Sequence, residues 1–411
     1  MKILFLNQTF HPDVASTAQY ASDLAATLAE RGHEVTVVCS RRAYDSPDVR
    51  YPARETWRGV HIRRIANFGF GKTAKWRRAA DFGSYIANCA LHLAFLAKHD
   101  VVIGMTSPPL ISWLGALFTR VKGGRYLFWV MDLNPDEAIA AGWLRPGSLT
   151  TRTLQRVLQY SLDHSTAVVV LDRFMADRIA AKGLARNRIA TLPPWSHDDA
   201  VAYDVQGRER FRRAHGLDGK FVVMYSGNHS PCHPLTTLLE AARELKDRHD
   251  IAFVFVGGGS QVPAVYRFAA DHGLSNIMVL PYQPYDQLGA SLSSADLHTV
   301  VMGDPFVGIV HPCKVYNIRA LGVPYLYIGP AESHVTELSP TYAARHGDVA
   351  GVVRHLTAAA VNGPGTPASA LASTEQVHEQ TRERLLGQMV ALVERAAEAV
   401  APAKSLVANQ Y

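Results

Sequence analysis

The chain has 411 residues, a net charge of +6, 48% hydrophobic and 19% charged side chains. That length exceeds one ordinary core and fits two domains of roughly 150–200 residues, and the composition excludes a disordered chain. Four scattered cysteines, Cys39, Cys89, Cys232 and Cys313, have no C-x-x-C spacing; this excludes an obvious disulfide framework or thiolate zinc site and suits a reducing compartment.

The apolar run after Met1 turns polar at Asn7, short of the roughly 7–15 apolar residues of a signal peptide. Spanning a bilayer needs about 18 or more, and the best candidate, Val101 to Phe118, is broken by Thr106-Ser107-Pro108-Pro109 into strand, loop and helix. A cytoplasmic chain is expected, soluble or peripheral on the inner face of the membrane.

In chain order, Ile3-Leu4-Phe5-Leu6 reads as a short buried strand, His11 to Ala18 as a loop, Tyr20 to Arg31 as a helix ended by Gly32, and Val35 to Val38 as the next strand. A helix between two apolar strands predicts a parallel crossover. Further strands are expected near Asp100–Ile103, Tyr126–Met131 and Ala167–Leu171, and Ile189 to Leu192 runs into Pro193-Pro194, a linker. After a charged, poorly periodic passage (Asp198 to Lys220) the rhythm restarts. Strands are expected at Phe221–Tyr225, Ile251–Val256, Ile277–Leu280, His298–Val301 and Tyr325–Ile328, with helices at Leu235–Leu245 and Lys314–Leu321. The Asn362–Ala370 stretch reads as a surface loop and Thr374 to Ala397 as an amphipathic helix. The fold class is α/β: two doubly wound parallel-sheet, Rossmann-like domains facing a cleft. The expected boundaries are 1–195 and 196–384, the C-terminal helix 385–411 completing the first domain.

Ligands of open parallel sheets bind beyond the carboxyl ends of strands, and four such ends suit a phosphorylated ligand. Gly227, in Ser226-Gly227-Asn228-His229, lets backbone approach a phosphate. Gly257-Gly258-Gly259 leaves room for a flat base or ribose, although G-x-G-x-x-G spacing is missing. Tyr282 follows the apolar strand ending at Leu280, a loop that can present backbone groups to a nucleobase edge. Gly308-Ile309-Val310-His311-Pro312-Cys313-Lys314 leads into a helix whose free N–H groups and dipole favour an anion. Lys314 adds a point charge toward a diphosphate, and Asn317, on nearly the same face, can reach ribose hydroxyls. No D-x-D triplet or H-E-x-x-H spacing appears among the 18 histidines, so neither a metal nor another cofactor is expected.

One stretch concentrates positive charge. Thr56 to Ala80 has no Asp or Glu, and sets Arg63, Arg64, Lys72, Lys75, Arg77 and Arg78 among Trp57, Phe68, Phe70 and Trp76. The mixture suits an anionic membrane or a lipid-phosphate acceptor as well as it suits a solvated loop. A nucleic-acid partner is not expected, since the charge is local and no recognition motif accompanies it.

Taken together, the segments Leu24 to Val38, Met131-Asp132-Leu133-Asn134-Pro135-Asp136, Leu192-Pro193-Pro194-Trp195, Tyr225-Ser226-Gly227-Asn228 and Pro312-x-Lys314-x-x-Asn317 with Ala320-Leu321-Gly322-Val323-Pro324 resemble, in the same order, the retaining GT-B glycosyltransferases of family four. The branch they look like serves lipopolysaccharide and capsule (colanic-acid type) synthesis. The resemblance implies transfer of sugar from a nucleotide-sugar, UDP-linked by expectation, to a glycan or polyprenyl-linked acceptor with retention and without metal. It places Lys314, Asp132 and His311 in catalysis, with the donor at Gly227, Asn228, His229, Gly257, Gly258, Gly259, Tyr282, Val310, Lys314 and Asn317. It places the acceptor at His11, Ser16, Thr17 and Asn134. The chain departs from the family pattern in three places. Ile309 and Asn317 stand where many relatives carry two glutamates, and Ala15-Ser16-Thr17 where relatives keep two glycines. His229 to His233 follows Asn228 where a lysine or arginine is common, and either His229 or His233 is a candidate substitute for that cation. The alternatives are a catalytically silent GT-B subunit and a GT-B nucleotide-sugar epimerase.

Overall fold

The computed structural model describes residues 1–13, 15–43, 48–70, 75–195, 202–363 and 371–398. The first unit is built from β1 (Lys2–Leu6), α1 (Ser16–Glu30), β2 (Glu34–Ser40), β3 (Arg54–Trp57), β4 (Val60–Ile65), α2 (Lys75–Ala94), β5 (Val101–Gly104), α3 (Ile111–Lys122), β6 (Arg125–Trp129), α4 (Asp136–Ala140), α5 (Leu149–Asp163), β7 (Ala167–Val170), α6 (Arg173–Ala181) and β8 (Ile189–Thr191). Its eight strands run β3-β4-β2-β1-β5-β6-β7-β8, parallel except for the β3–β4 hairpin. The second comprises α7 (Val205–Ala214), β9 (Phe221–Ser226), α8 (Thr236–Glu244), β10 (Ile251–Val256), α9 (Val262–Asp271), β11 (Ile277–Leu280), α10 (Leu288–Ser293), β12 (Leu297–Val301), α11 (Lys314–Ala320), β13 (Tyr325–Ile328), α12 (His334–Glu337), β14 (Tyr342–Ala344) and α13 (Val349–Asn362), with parallel strands ordered β11-β10-β9-β12-β13-β14.

Parallel strands covered on both faces are apolar throughout. Ile3, Leu4, Phe5 and Leu6 have no exposed surface, and β10 is buried from end to end. Each sheet reverses direction once, between β1 and β5 in the first and between β9 and β12 in the second. At such switch points the loops part and leave a crevice. The last helix, α14 (Leu371–Glu398), returns to the first sheet. There Leu385, Leu386, Met389, Val390 and Val393 join Phe5, Leu24 and Leu28 in one core, and Glu394 pairs with Arg31 and His33. Residues 399–411 and 364–370, where the terminal extension and most of the Asn362–Ala370 loop fall, lie outside the described residues.

Four local expectations are corrected. Helix α1 opens at Ser16, inside the segment read as a loop, after Ala15 in extended conformation. The charged passage after Asp198 contains α7, capped by Asp204 and buried through Gly207, Phe211 and Arg212. Its periodicity is hidden because Arg208 and Arg212 point inward onto Asp296. The short β14 was not anticipated, and neither was the hairpin: the basic stretch opens on strands β3 and β4 before reaching α2.

Candidate donor site and cleft

The loops at the β9/β12 switch point supply the cleft wall of the second unit. Gly227, Gly257 and Gly259 all have φ near +130°, where L side chains are strained. A Cβ on Gly257 would lie 2.2 Å from the Gly227 carbonyl, and one on Gly259 would lie 2.4 Å from that of His229. The His229 amide donates to the Gly258 carbonyl at 2.7 Å. The glycine triplet therefore lets two loops interlock, rather than opening a slot for a base as the sequence reading had it. Tyr282 lies against its outer side, its ring 3.0 Å from a Cβ built on Gly258, and is 53% exposed.

Lys314, the first residue of α11, reaches back over Gly227, where a Cβ would come within 3.0 Å of its Nζ. The ammonium lies 3.7 Å from the Tyr225 ring centre, is hidden from solvent and has no hydrogen-bond partner. Burial lowers its pKa to about 7. A buried charge without a partner is costly, so this niche is built for an anion to complete. The N–H groups of Val315 and Tyr316 donate to Pro312 and Cys313, and that of Val310 donates to Phe306. Among the described residues no backbone acceptor takes the N–H of Cys313 or Lys314. Val310 is corrected accordingly: its own amide is already spent. Asn317 follows one turn after Lys314, half-buried, and among the described residues its side-chain amide has no hydrogen-bond partner.

Neither histidine replaces a missing cation. Burial, followed by the nearby Lys314 charge, lowers His229 to about 4 and His233 to about 3, so both are neutral near pH 7. Each directs Nδ1 at a backbone carbonyl, of Gly227 and Val301 respectively. His229 Nε2 is then a buried acceptor without a donor.

His311 is also corrected. Its Nδ1 lies 2.7 Å from Asp172 Oδ2 and its Nε2 2.8 Å from the Tyr316 hydroxyl, so no ring nitrogen is left for a substrate. Asp172 caps α6 through the Met175 amide, making this pair a link between the two units. His334 stacks on His311 at 3.7 Å and 16°; its Nδ1 lies 3.5 Å from Asp172 Oδ2, and neither nitrogen has a hydrogen-bond partner. Asp172, His311 and His334 are the only described group whose ligand atoms lie close enough for a metal ion, within 4.8 Å of one another. The stacked rings do not converge on a common point, since an imidazole lone pair lies in its own ring plane. Around this link, Gly308 packs against the Phe174 backbone and Arg178 donates to the Val307 carbonyl at 2.6 Å.

The first unit faces the same cleft with the ends of β1 and β6. His11 stacks on Trp57 at 4.2 Å, Thr17 shares a hydrogen bond with Thr9, and Ser16 is exposed at the start of α1. Asp132 and Asn134 lie on the loop into α4, where the Leu133 amide donates to the Ile309 carbonyl at 2.8 Å. Burial, then the adjacent Glu137, raises Asp132 to about 7. Asn134 Nδ2 donates to Glu137 Oε2 at 3.1 Å, and the Cys232 thiol lies 3.8 Å from Glu137 Oε1. Glu137 was missed by the sequence analysis; it lies just beyond the Met131 to Asp136 segment and its contacts come from the fold.

Of the basic stretch, Arg64 is corrected outright. Its side chain is 1% exposed, pairs with Glu55 and donates to the Pro52 and His11 carbonyls. Arg63 is half-buried on β4 and Arg77 is exposed at the start of α2. Lys72 lies outside the described residues, as do the side chains of Lys75 and Arg78. Phe68 and Phe70 form an exposed ring pair 5.3 Å apart.

Two parallel sheets with their switch-point loops meeting across a cleft, and an uncompensated lysine at the switch point of the second, define a GT-B protein. Residues 17–195 match the glycosyl transferase 4-like domain and residues 207–304 the glycosyl transferases group 1 domain, so the chain carries family-four GT-B glycosyltransferase domains. WcaI of Escherichia coli K12, a glycosyl transferase named for colanic acid biosynthesis, is 25% identical over 359 residues, 83% of this chain and 86% of its own. HepE of Anabaena, solved with UDP and glucose, superposes with a TM-score of 0.70 at 14% identity, over 96% of this chain and all of its own. WaaG, a glycosyltransferase of lipopolysaccharide biosynthesis, gives 0.65 at 17% identity, over 96% of this chain and 99% of its own.

Proposed function

We propose that the chain moves a sugar from a UDP-sugar to a glycan or polyprenyl-linked acceptor, with retention and without metal or other cofactor, in surface-polysaccharide synthesis on the cytoplasmic face of the membrane. The observation that carries the donor half is the buried, unpartnered Lys314 ammonium over Gly227, at the switch point of the second sheet. An arriving diphosphate supplies the missing counter-charge, and the same contact stabilises that diphosphate as it leaves. UDP is supported by its presence in HepE, and surface polysaccharide by the naming of WcaI. Retention rests on the family resemblance. Metal independence is supported by the lysine doing the work of a diphosphate-bound ion.

Among the described residues no helix is long and apolar enough to cross a membrane. Phe68, Phe70 and Arg77 sit beyond the carboxyl end of β4, on the cleft side of the first sheet, where a lipid-linked acceptor would enter.

The test is sugar transfer by wild type and Lys314→Ala across a panel of nucleotide-sugars with a polyprenyl-diphosphate-sugar acceptor. Loss of a contact made mainly to the leaving group costs about 2–4 kcal/mol. Unchanged turnover in the alanine variant would overturn the assignment; isomerised donor without transfer would favour an epimerase.

A further inference from the structure

The first unit brings two carboxylates, Asp132 and Glu137, to the seam where it meets the second. They sit at either end of one tight turn, closed by the Glu137 amide on the Leu133 carbonyl at 2.9 Å. The titratable groups packed around them come from both units: Cys232 from the loop after β9 lies near both carboxylates, and Cys313 from the start of α11 lies near Asp132. Their surroundings differ. Glu137 receives hydrogen bonds from Asn134 and Cys232, whereas no donor from the described residues reaches the Asp132 carboxyl, whose neighbours are buried and apolar or thiol. Hydrogen-bond donors favour the ionised form and desolvation the neutral one, and two adjacent carboxylates do not readily ionise together. Burial and the adjacent Glu137 therefore hold Asp132 toward its neutral form near pH 7.

The position is suited to chemistry. Ile309, where relatives carry a carboxylate, is buried, with its carbonyl bound to Leu133 of this same turn. Lys314 starts the helix directly after Cys313. We infer that Asp132 and Glu137 form a proton-sharing pair in which Glu137 takes the proton from the acceptor hydroxyl during sugar transfer. The acceptor O–H bond breaks and its proton passes to the Glu137 carboxylate. The acceptor oxygen bonds the anomeric carbon, and the bond from that carbon to the diphosphate breaks, its electron pair leaving with the diphosphate against Lys314. Neutral Asp132 keeps a second negative charge away from the departing group.

This inference rests on the transferase reading, and the two fail in different ways. A general base contributes about 10²–10⁴-fold, so Glu137→Gln should lower kcat by that factor while leaving the Kd for UDP within threefold. Asp132→Asn mimics the protonated acid and should lower kcat by less than Glu137→Gln does. The acid limb of the pH–rate profile should persist in Asp132→Asn and vanish in Glu137→Gln. Independently of activity, ¹³C-carboxyl NMR of the full chain should show an aspartate titrating near 7 that moves down in Glu137→Gln while staying above its ordinary range, because burial is the larger cause. Glu137→Gln with near wild-type kcat, or no aspartate titrating above 6, overturns the inference. Loss of the transferase reading would instead appear as indifference to Lys314→Ala.

Discussion

Lys314 and His311 lie three residues apart on the same loop-to-helix segment, both buried and both polar, and they end in opposite states. His311 is satisfied on each nitrogen by Asp172 and Tyr316; Lys314 is hidden from water, with the Tyr225 ring beneath it and no hydrogen-bond partner. Buried polar groups ordinarily find partners. The complete one is therefore structural, stapling α6 to the second unit, and the incomplete one awaits a ligand. On the chain the two read alike, as cationic residues near a helix start. Only the packing of α6 against that segment separates them.

The comparison is broken or sharpened most directly by exchanging deletions. His311→Ala strips two buried hydrogen bonds and leaves the Asp172 carboxylate short of its imidazole. It should cost about 2–4 kcal/mol of stability, read as a drop in Tm, with UDP affinity in the folded protein within threefold of wild type. Lys314→Ala should do the reverse, holding or raising Tm while UDP binding weakens by about 2–4 kcal/mol. If His311→Ala abolishes UDP binding at unchanged Tm, the division between the two residues is wrong. Next in size is Asn317, whose amide is unpartnered on the Lys314 face of α11. Asn317→Leu should weaken UDP binding by about 1–3 kcal/mol, whereas Asn317→Glu should change it less than tenfold. Calorimetric titration that finds the leucine variant unimpaired makes Asn317 an ordinary helix residue.

How far the chain could be read follows the same division. The doubly wound architecture was legible because its strands are short, continuous apolar runs between helices, as at Ile3–Leu6 and Ile251–Val256. Helix α7 was not, since Arg208 and Arg212 occupy inward positions that a hydrophobic pattern would mark as surface. At the candidate site, the loops and the lysine were legible from glycine placement and helix-start chemistry. The neutrality of His229 and His233 was not, because it follows from their burial in the fold and then from Lys314 approaching them. Arg64 and Arg77 are alike on the chain, and only the β3–β4 hairpin makes the first a buried strut.

The lowered pKa of Lys314 sets a pH dependence on its side of the comparison. In the free protein the amine loses its proton through about pH 7, and an adjacent diphosphate favours the charged form. Binding above pH 7 therefore takes up close to one proton. UDP affinity should fall as pH rises from 7 to 9, by up to about 1.4 kcal/mol, or tenfold, per unit. Calorimetry at pH 8 in two buffers of different ionisation heat measures that uptake. Lys314→Arg, which is charged throughout, should abolish it. Equal apparent heats in both buffers for wild type would show that Lys314 is charged before the nucleotide arrives.

The smallest expected effect belongs to the basic stretch, where a buried cation and an exposed one can be compared at a membrane. Arg64 is spent inside the protein on Glu55, Pro52 and His11, so Arg64→Gln should lower Tm and say nothing about lipid. Arg77 is exposed on α2, the helix whose Asp81 accepts from the Gly69 and Phe70 amides beside the Phe68–Phe70 ring pair. That combination suits an anionic surface, the rings entering the headgroup layer while the guanidinium meets phosphate. Each basic residue near such a surface contributes about 1 kcal/mol, so Arg77→Gln should weaken binding to phosphatidylglycerol vesicles about fivefold, and Phe68→Ser should weaken it in neutral vesicles as well. Added salt should erase the Arg77 effect but not the Phe68 effect, because exposed charges are screened within a Debye length of about 8 Å at physiological ionic strength. Co-sedimentation that shows wild-type binding indifferent to both salt and Arg77→Gln would reduce the stretch to a solvated edge, leaving the acceptor to reach the cleft without help from the membrane.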